Sequence, residues 1–367
     1  MTRAITFIFF SSLFLFLLGI IMIFNISSAN IIDSSLNTGI YNVLIKHLMY
    51  SFLSFFISFI ILKIGYVQIL KISPFLFFFL LFLLIVMNLP GIGLEINGAK
   101  RWIYIKGISF QPSEFMKYIL PIYFIYKFKN FTNDMSFIQF LKNISIFFLA
   151  ICLILIQPDN GMVFIICFSL IILFILMNIN WKYWGIPVTI LMFIGGAFAY
   201  QLPYVSKRIN VYLYPEKDLY GTGHQPLQSK IATGSGGLIG KGLGNSIQKL
   251  NYLPSAKNDY IAAIYAEEFG FIGICFLIIL YLILIIGGFY IAINSYDEQG
   301  FYLASILTFL IGFQAFLNLG VVSALLPSKG IALPFFSQGG SSLLINIIGM
   351  SIICNIGYYS LNKKYAK

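Results

Sequence analysis

An all-α, polytopic integral membrane fold of about ten transmembrane helices is what this sequence predicts, and three observations predict it. Of 367 residues, 59% are hydrophobic and only 10% are charged, where a soluble domain carries roughly a quarter charged residues. The apolar residues gather into runs near 5–25, 43–62, 72–90, 112–127, 142–157, 161–179, 184–203, 261–293, 301–326 and 338–358. Each approaches the ~20 residues that a helix needs to cross hydrocarbon. None alternates with period two, and open strands cannot satisfy their backbone groups in lipid, so the spans are helices. A water-soluble globular enzyme is excluded.

The first run follows Arg3 and ends near Ser28-Ala29, a poor cleavage site; it is too long for the apolar core of a secretory signal and reads as a retained span. An even number of spans puts both termini on one side. Arg3 at one end and Lys363, Lys364 and Lys367 at the other place them in the cytoplasm. Lys63 and Lys71, then Lys127, Lys129 and Lys142, then Lys182 fall in the loops that this topology also makes cytoplasmic. Outside lie a loop of about 91–111, a large extracytoplasmic loop of about 204–260 and a turn near 327–337. The chain 1–367 reads as a single transmembrane domain, with no internal repeat. Its four cysteines (Cys152, Cys167, Cys275 and Cys354) stand alone in apolar runs, so disulfide, metal or redox chemistry based on cysteine is not expected.

Net charge is +11, and much of the excess lies on the outer side. Lys100, Arg101 and Lys106 are in the first outer loop; Lys207, Arg208, Lys217, Lys230, Lys241, Lys249 and Lys257 are in the large one. Facing them are only Glu95, Glu216, Asp218 and Asp259. Long loops translocate whatever their charge, so simple tolerance is one reading. The other is an outward-facing anion site able to hold a lipid diphosphate, since each basic residue near an anionic lipid surface is worth about 1 kcal/mol. Nucleic acid is a poor candidate, because no basic stripe lies on an exposed helix.

Thr233–Asn245, TGSGGLIGKGLGN, is not a nucleotide-binding loop: Ser235 and Gly242 stand where a Walker loop needs Gly and Ser or Thr. A packed glycine loop and a phosphate cradle both fit this segment. Asp259, at the start of an apolar run, is either the N-cap of the next helix or a general base at the lipid–water boundary. Glu267, eight residues on and about 12 Å along a helix, cannot form a close carboxylate pair with it. Pro112 suits a first helical turn. Glu114 and Lys117 then share a face as an inward ion pair, either shaping a cavity or purely structural. Asp159, in the tight turn Gln157–Gly161, caps the following helix or belongs to a site. His47 and His224 are too few for a metal cluster, and no GxSxG supports a serine nucleophile.

Four blocks taken together carry a resemblance: INGAKRWIYIKGISFQPSEFMK at 96–117, QPDNG at 157–161, the segment 214–273 from YPEKDLYG to EEFGFIG, and NLGVVSALLPSKGIALPFFSQGGSSLL at 318–344. The chain resembles the SEDS family of shape, elongation, division and sporulation proteins over nearly its whole length. GLGNSIQKLNYLP and LPSKGIALPFFSQGGSS are more similar to the division branch than to the elongation branch.

The resemblance implies a ten-span peptidoglycan glycosyltransferase that polymerises lipid II with inversion and works with a class B penicillin-binding protein and other division proteins. Asp259 matches the family's essential loop aspartate. Arg101 matches the arginine of NGAxRW, Lys329 the lysine of a PTKG-like turn, Glu114 and Lys117 the inward pair after QP, and Asp159 the acid of QPD. Arg208 is a further candidate for the diphosphate. A divalent cation, Mg or Mn, is the one cofactor compatible with this chemistry, and no organic cofactor is expected. Lys257 and Asn258 precede Asp259 where the family often has His-Thr, and Asn251 stands where relatives often have Glu, which puts any second acid in doubt. A lipid II flippase and a non-catalytic scaffold for a partner synthase are the readings from other classes.

Overall fold

The computed structural model describes residues 1–33, 40–89, 94–96, 99–105, 108–129, 136–189, 210–213, 221, 223–250, 252–253 and 256–365. Among the described residues the elements with both ends placed are, in order, α1 (Thr2–Asp33), α2 (Ile40–Ile64), α3 (Tyr66–Met87), β1 (Leu94–Ile96), β2 (Ala99–Ile105), β3 (Ile108–Phe110), α4 (Pro112–Lys127), α5 (Phe137–Ile156), α6 (Asn160–Leu176), α7 (His224–Ser235), α8 (Ile261–Ile293), α9 (Glu298–Val322) and α10 (Gly340–Tyr365). Seven of these helices are long and apolar enough to cross a membrane: α1, α2, α3, α5, α8, α9 and α10. Of the three other predicted spans, 112–127 and 161–179 correspond to the shorter α4 and α6. The run 184–203 lies mostly outside the described residues. The protein is a multi-pass membrane protein.

Burial divides the helices into two kinds. α1, α2 and α3 turn large apolar side chains outward, such as Phe52 and Phe75, as lipid-facing helices do. α4, by contrast, is buried on nearly all sides, with Tyr118, Leu120 and Phe124 fully enclosed. α4, α9 and α10 pack together in the core, which encloses even the polar residues of α4.

At one end of the bundle, Gly65 adopts φ +86° and breaks α2 from α3. Asn355 of α10 closes that break by accepting from the Tyr66 amide (2.8 Å) and donating to the Leu62 carbonyl (3.1 Å). Asp297 caps α9 there, accepting from the Gly300 amide (2.9 Å) and the Tyr66 hydroxyl (2.7 Å). The opposite end holds the β-strands, the start of α4, the α5–α6 turn, the start of α8 and the segment 324–339.

The strands are the departure from an all-α reading. β1, β2 and β3 form an antiparallel meander in which Ile103 faces Phe110, with a register irregularity between Leu94 and Glu95. Strands this short leave little periodic signal. Tertiary contacts hold the sheet: the Tyr50 hydroxyl bonds both the amide and the carbonyl of Ser109 (2.8 and 2.7 Å), and the Gln111 amide donates to Ser341 (3.0 Å).

Candidate active site

α4 begins with Pro112 in its first turn, where the missing N–H costs nothing. One turn on, the Lys117 ammonium meets Glu114 Oε2 at 2.8 Å and Gln314 Oε1 of α9 at 2.6 Å, with both charges buried. The predicted inward pair therefore exists, and an amide from another helix completes it. Gln314 Nε2 in turn donates to the Ala332 carbonyl at 2.7 Å and to Ser342 at 3.3 Å. The ion pair is thereby tied to the segment that carries Lys329.

Asp159 caps α6 and also reaches the head of α4. Its carboxylate accepts from the Met162 amide (3.4 Å), capping α6, and from Gln111 and Ser113 at the head of α4 (3.2 Å each). Burial pushes its carboxyl above the usual range, while Arg101, 3.9 Å away, acts in the opposite sense. Arg101 also donates from Nε to the Gln157 carbonyl at 3.0 Å and from the guanidinium to the Pro158 carbonyl. Its fork thus clamps the α5–α6 turn and presents only part of its charge to solvent.

Asp259 does not cap α8. That helix starts at Ile261 with Tyr260 as its N-cap residue and no side-chain cap. The Asp259 side chain is partly buried against Gly330, where a Cβ would lie 3.3 Å from Oδ2. Among the described residues nothing donates a hydrogen bond to this carboxylate. Desolvation, with the Glu114 charge second, raises its pKa to about 7. Such a carboxyl is half ionised near neutrality, the condition that suits a general base. Burial also lowers the pKa of Lys257, two residues earlier, whose carbonyl accepts from the Gln338 amide (3.0 Å).

Lys329 immediately precedes Gly330, and its ammonium lies 4.3 Å from the centre of the Phe164 ring. Asp259, Lys329, Glu114 and Lys117 are thus joined by one short segment, 329–332. Asp159 and Arg101 form a neighbouring cluster that reaches the same α4 terminus. Arg208, Lys106, Lys207, Lys217 and Asn251 lie outside the described residues. An apolar groove of about 630 Å³ opens between α8 and α9, lined by Gly234, Ile274, Tyr281, Gly312 and Phe316, and does not include Asp259.

The glycine segment resolves as packing. Gly236 and Gly240 press on the α8 backbone so closely that a Cβ would lie 2.1 Å from the Ala266 carbonyl or 2.2 Å from that of Glu268. Four backbone bonds seal the contact: Lys241 and Gly242 amides to the Glu267 and Glu268 carbonyls (3.0 and 2.9 Å), and Phe271 and Ile272 amides to the Gly237 and Leu238 carbonyls (2.9 and 3.1 Å). The last two become available because α8 breaks at Gly270, φ +64°.

Lys241 and Lys249 belong to this contact as well. Lys241 binds the buried Glu267 at 2.6 Å, and Lys249 the buried Glu268 at 2.9 Å, with Asn25 of α1 bonded to both Glu268 and Lys249. These two lysines are therefore neutralised internally, which corrects their assignment to an anion-attracting cluster. Gln111, Ser113, Gln314 and Asn318 bond directly to the candidate residues and carry no motif of their own. Gln314 and Asn318, four apart within an apolar run, carried the usable signal, because amides inside a span seek partners on other helices.

A family model described as a cell cycle protein, covering FtsW, RodA and SpoVE, matches residues 5–362. A probable peptidoglycan glycosyltransferase FtsW of Trichlorobacter lovleyi is 35% identical over 350 residues, covering 92% of this chain and 89% of its own length. Stage V sporulation protein E of Bacillus subtilis is 34% identical over 357 residues, 95% of each chain. Among solved structures, a chain from work on coordination of polymerization and crosslinking by a peptidoglycan synthase complex superposes with a TM-score of 0.77 over 96% of this chain and 97% of that one. At 21% identity it speaks for the fold.

Proposed function

The chain belongs to the FtsW–RodA–SpoVE family of cell cycle proteins, and on that premise we propose that it is a peptidoglycan glycosyltransferase that polymerises lipid II. The observation that carries the mechanism is Asp259: a half-buried carboxyl with a pKa raised to about 7 and no described donor, opposite a glycine that leaves space beside it. In this reading Asp259 takes the proton of the acceptor sugar's 4-hydroxyl as that oxygen attacks the donor's anomeric carbon. The new C–O bond forms opposite the breaking bond to the lipid diphosphate, so the configuration inverts. Negative charge grows on the departing diphosphate, and preplaced cations lower the barrier.

Lys329 and Arg101 are the proposed diphosphate contacts, with Arg208 as a third. Glu114 and Lys117 shape the cavity floor, and Asp159 orients Arg101. Among the described residues no group of three His, Cys, Asp or Glu side chains is placed to hold a metal ion. Any Mg²⁺ or Mn²⁺ is therefore proposed to arrive with the substrate phosphates, a mode that needs only one or two protein carboxylates.

The site is proposed to face outward, with both termini cytoplasmic. Lys63, Lys127 and Lys363 at helix ends away from Asp259 support this through the positive-inside rule. A class B penicillin-binding protein is the proposed partner, in line with the synthase complex that shares the fold. The division role is favoured over an elongation role by the FtsW-named relatives at 35 and 37% identity. One reconstitution tests the whole reading: with labelled lipid II supplied on one face, with and without the partner, glycan length and translocation are scored separately. Glycan chains are expected. Translocation without polymer would instead assign a flippase, and neither activity a scaffold.

A further inference from the structure

We infer that Asn318 of α9 is a positioning residue that sets Asp259 against the Lys329–Ala332 segment; the inference rests on the polymerase reading above. Asn318 is buried, and its single Nδ2 donates to two main-chain carbonyls, those of Asp259 and Ile331, at 2.7 Å each. The orientation of the amide is fixed by chemistry, because both neighbours are acceptors and only the NH₂ end can face them. Its Oδ1 is buried with no hydrogen-bond partner among the described atoms, so the side chain gives up one polar contact to make this bridge. An unpaired buried acceptor costs free energy, and an apolar side chain of similar size would avoid that cost.

The bridge joins segments about 60 and 13 residues away in sequence. One helical turn earlier on the same face, Gln314 makes the companion link, from the Lys117 ammonium to the Ala332 carbonyl. Two amides four residues apart therefore pin consecutive carbonyls, Ile331 and Ala332, one side leading to Asp259 and the other to the Glu114–Lys117 pair. Just before them, Gly330 lies close enough to Asp259 that its missing Cβ is part of the fit, 3.3 Å from Oδ2. Without Asn318 the start of α8 and the lysine-bearing segment lose their shared anchor. The carboxylate then drifts from Gly330 and gains water.

Among described groups, the charge acting on Asp259 is Glu114 from α4; Lys257 lies on its own segment and Lys329 on the facing one. Desolvation is the main cause of its raised pKa, so added water moves that pKa down.

The test compares wild type with Asn318→Ala and with Asn318→Leu, which keeps the approximate size but removes the bridging donor without adding a charge beside Asp259. Initial rates of polymer formation from purified lipid II are followed from pH 5 to 9 with the partner present, beside the folded fraction in detergent. The expected result is a kcat lower by about 100-fold, the scale of an ångström of misplacement. KM should stay within about twofold, and the acidic limb of the rate profile should move below its wild-type midpoint. Folded variants with wild-type kcat and midpoint overturn the inference. So does loss of activity only in proportion to lost folded protein, or failure of both variants to fold, since each makes Asn318 structural. Wild type that forms no polymer under the same conditions refutes the polymerase reading instead.

Discussion

Two carboxylate centres at the head of α8 stand eight or nine residues apart and have opposite surroundings. Glu267 and Glu268 are saturated. Glu267 takes bonds from Lys241, Ser246 and the amides of Ile247 and Gln248; Glu268 takes them from Lys249, Asn25 and the Ser246 amide. Asp259 is only partly buried, yet it is strongly desolvated and receives no described donor. Ionised acids buried with full complements of donors fix structure, here the clamp of the glycine segment onto the kink at Gly270. A buried acid deprived of donors keeps its proton near neutrality and so stays able to exchange it.

The largest effect expected from this contrast is on catalysis. Asp259→Asn should lower polymer formation by about 10²–10⁴-fold, the usual scale for a lost general base. The protein should remain folded and at least as stable, because the cost of a desolvated charge goes with the carboxyl. Thermal unfolding in detergent beside the rate assay measures both, and an active, folded Asn variant would sink the assignment.

The same change on the other centre should do the reverse. Glu268→Gln strands the buried Lys249 ammonium, and breaking such a pair costs about 3–5 kcal/mol, read as lost stability in a denaturation series. If the two substitutions behave alike, the contrast fails.

Acidity sharpens the comparison further. With desolvation raising the folded pKa of Asp259 from the ordinary carboxylate range to about 7, the rate should climb as pH rises through about 7. Stability runs the other way: the folded state holds this proton more tightly than the unfolded chain, so the contribution of Asp259 is lost between about pH 4 and 7. The Asn variant should show neither trend, which a paired rate and unfolding profile tests. A smaller effect is expected at Gly240, whose φ of +88° and contact with the Glu268 carbonyl leave no room for a Cβ. Gly240→Ala should cost about 1–3 kcal/mol of stability and loosen the glycine segment, measured as faster proteolysis there.

Much of this was readable along the chain, and the limits fall where contacts become distant. Apolar runs and the absence of period two marked the helices, and Pro112 with Glu114 and Lys117 gave the start of α4 and its buried pair, because partners three residues apart share a helix face. The glycine segment shows the limit. Its composition fitted both a phosphate cradle and a packed loop, and the deciding partners, the Ala266 and Glu268 carbonyls, lie about 30 residues away across a helix break. Lys241 and Lys249 were likewise legible as charges but not as spent ones.

By itself the sequence determined that this is a helical membrane protein, where its apolar runs lie, and which few acids and bases stand at or within them; these follow from local composition and spacing. Only the tertiary structure decided what each charge meets. It paired Glu268 with Lys249 and with Asn25, 243 residues away, hung Asp259 and Ile331 on one amide, and left the Asp259 carboxyl without a donor among the described residues. A carboxylate's chemistry is set by the donors and dielectric around it, and those come from residues that only packing brings together.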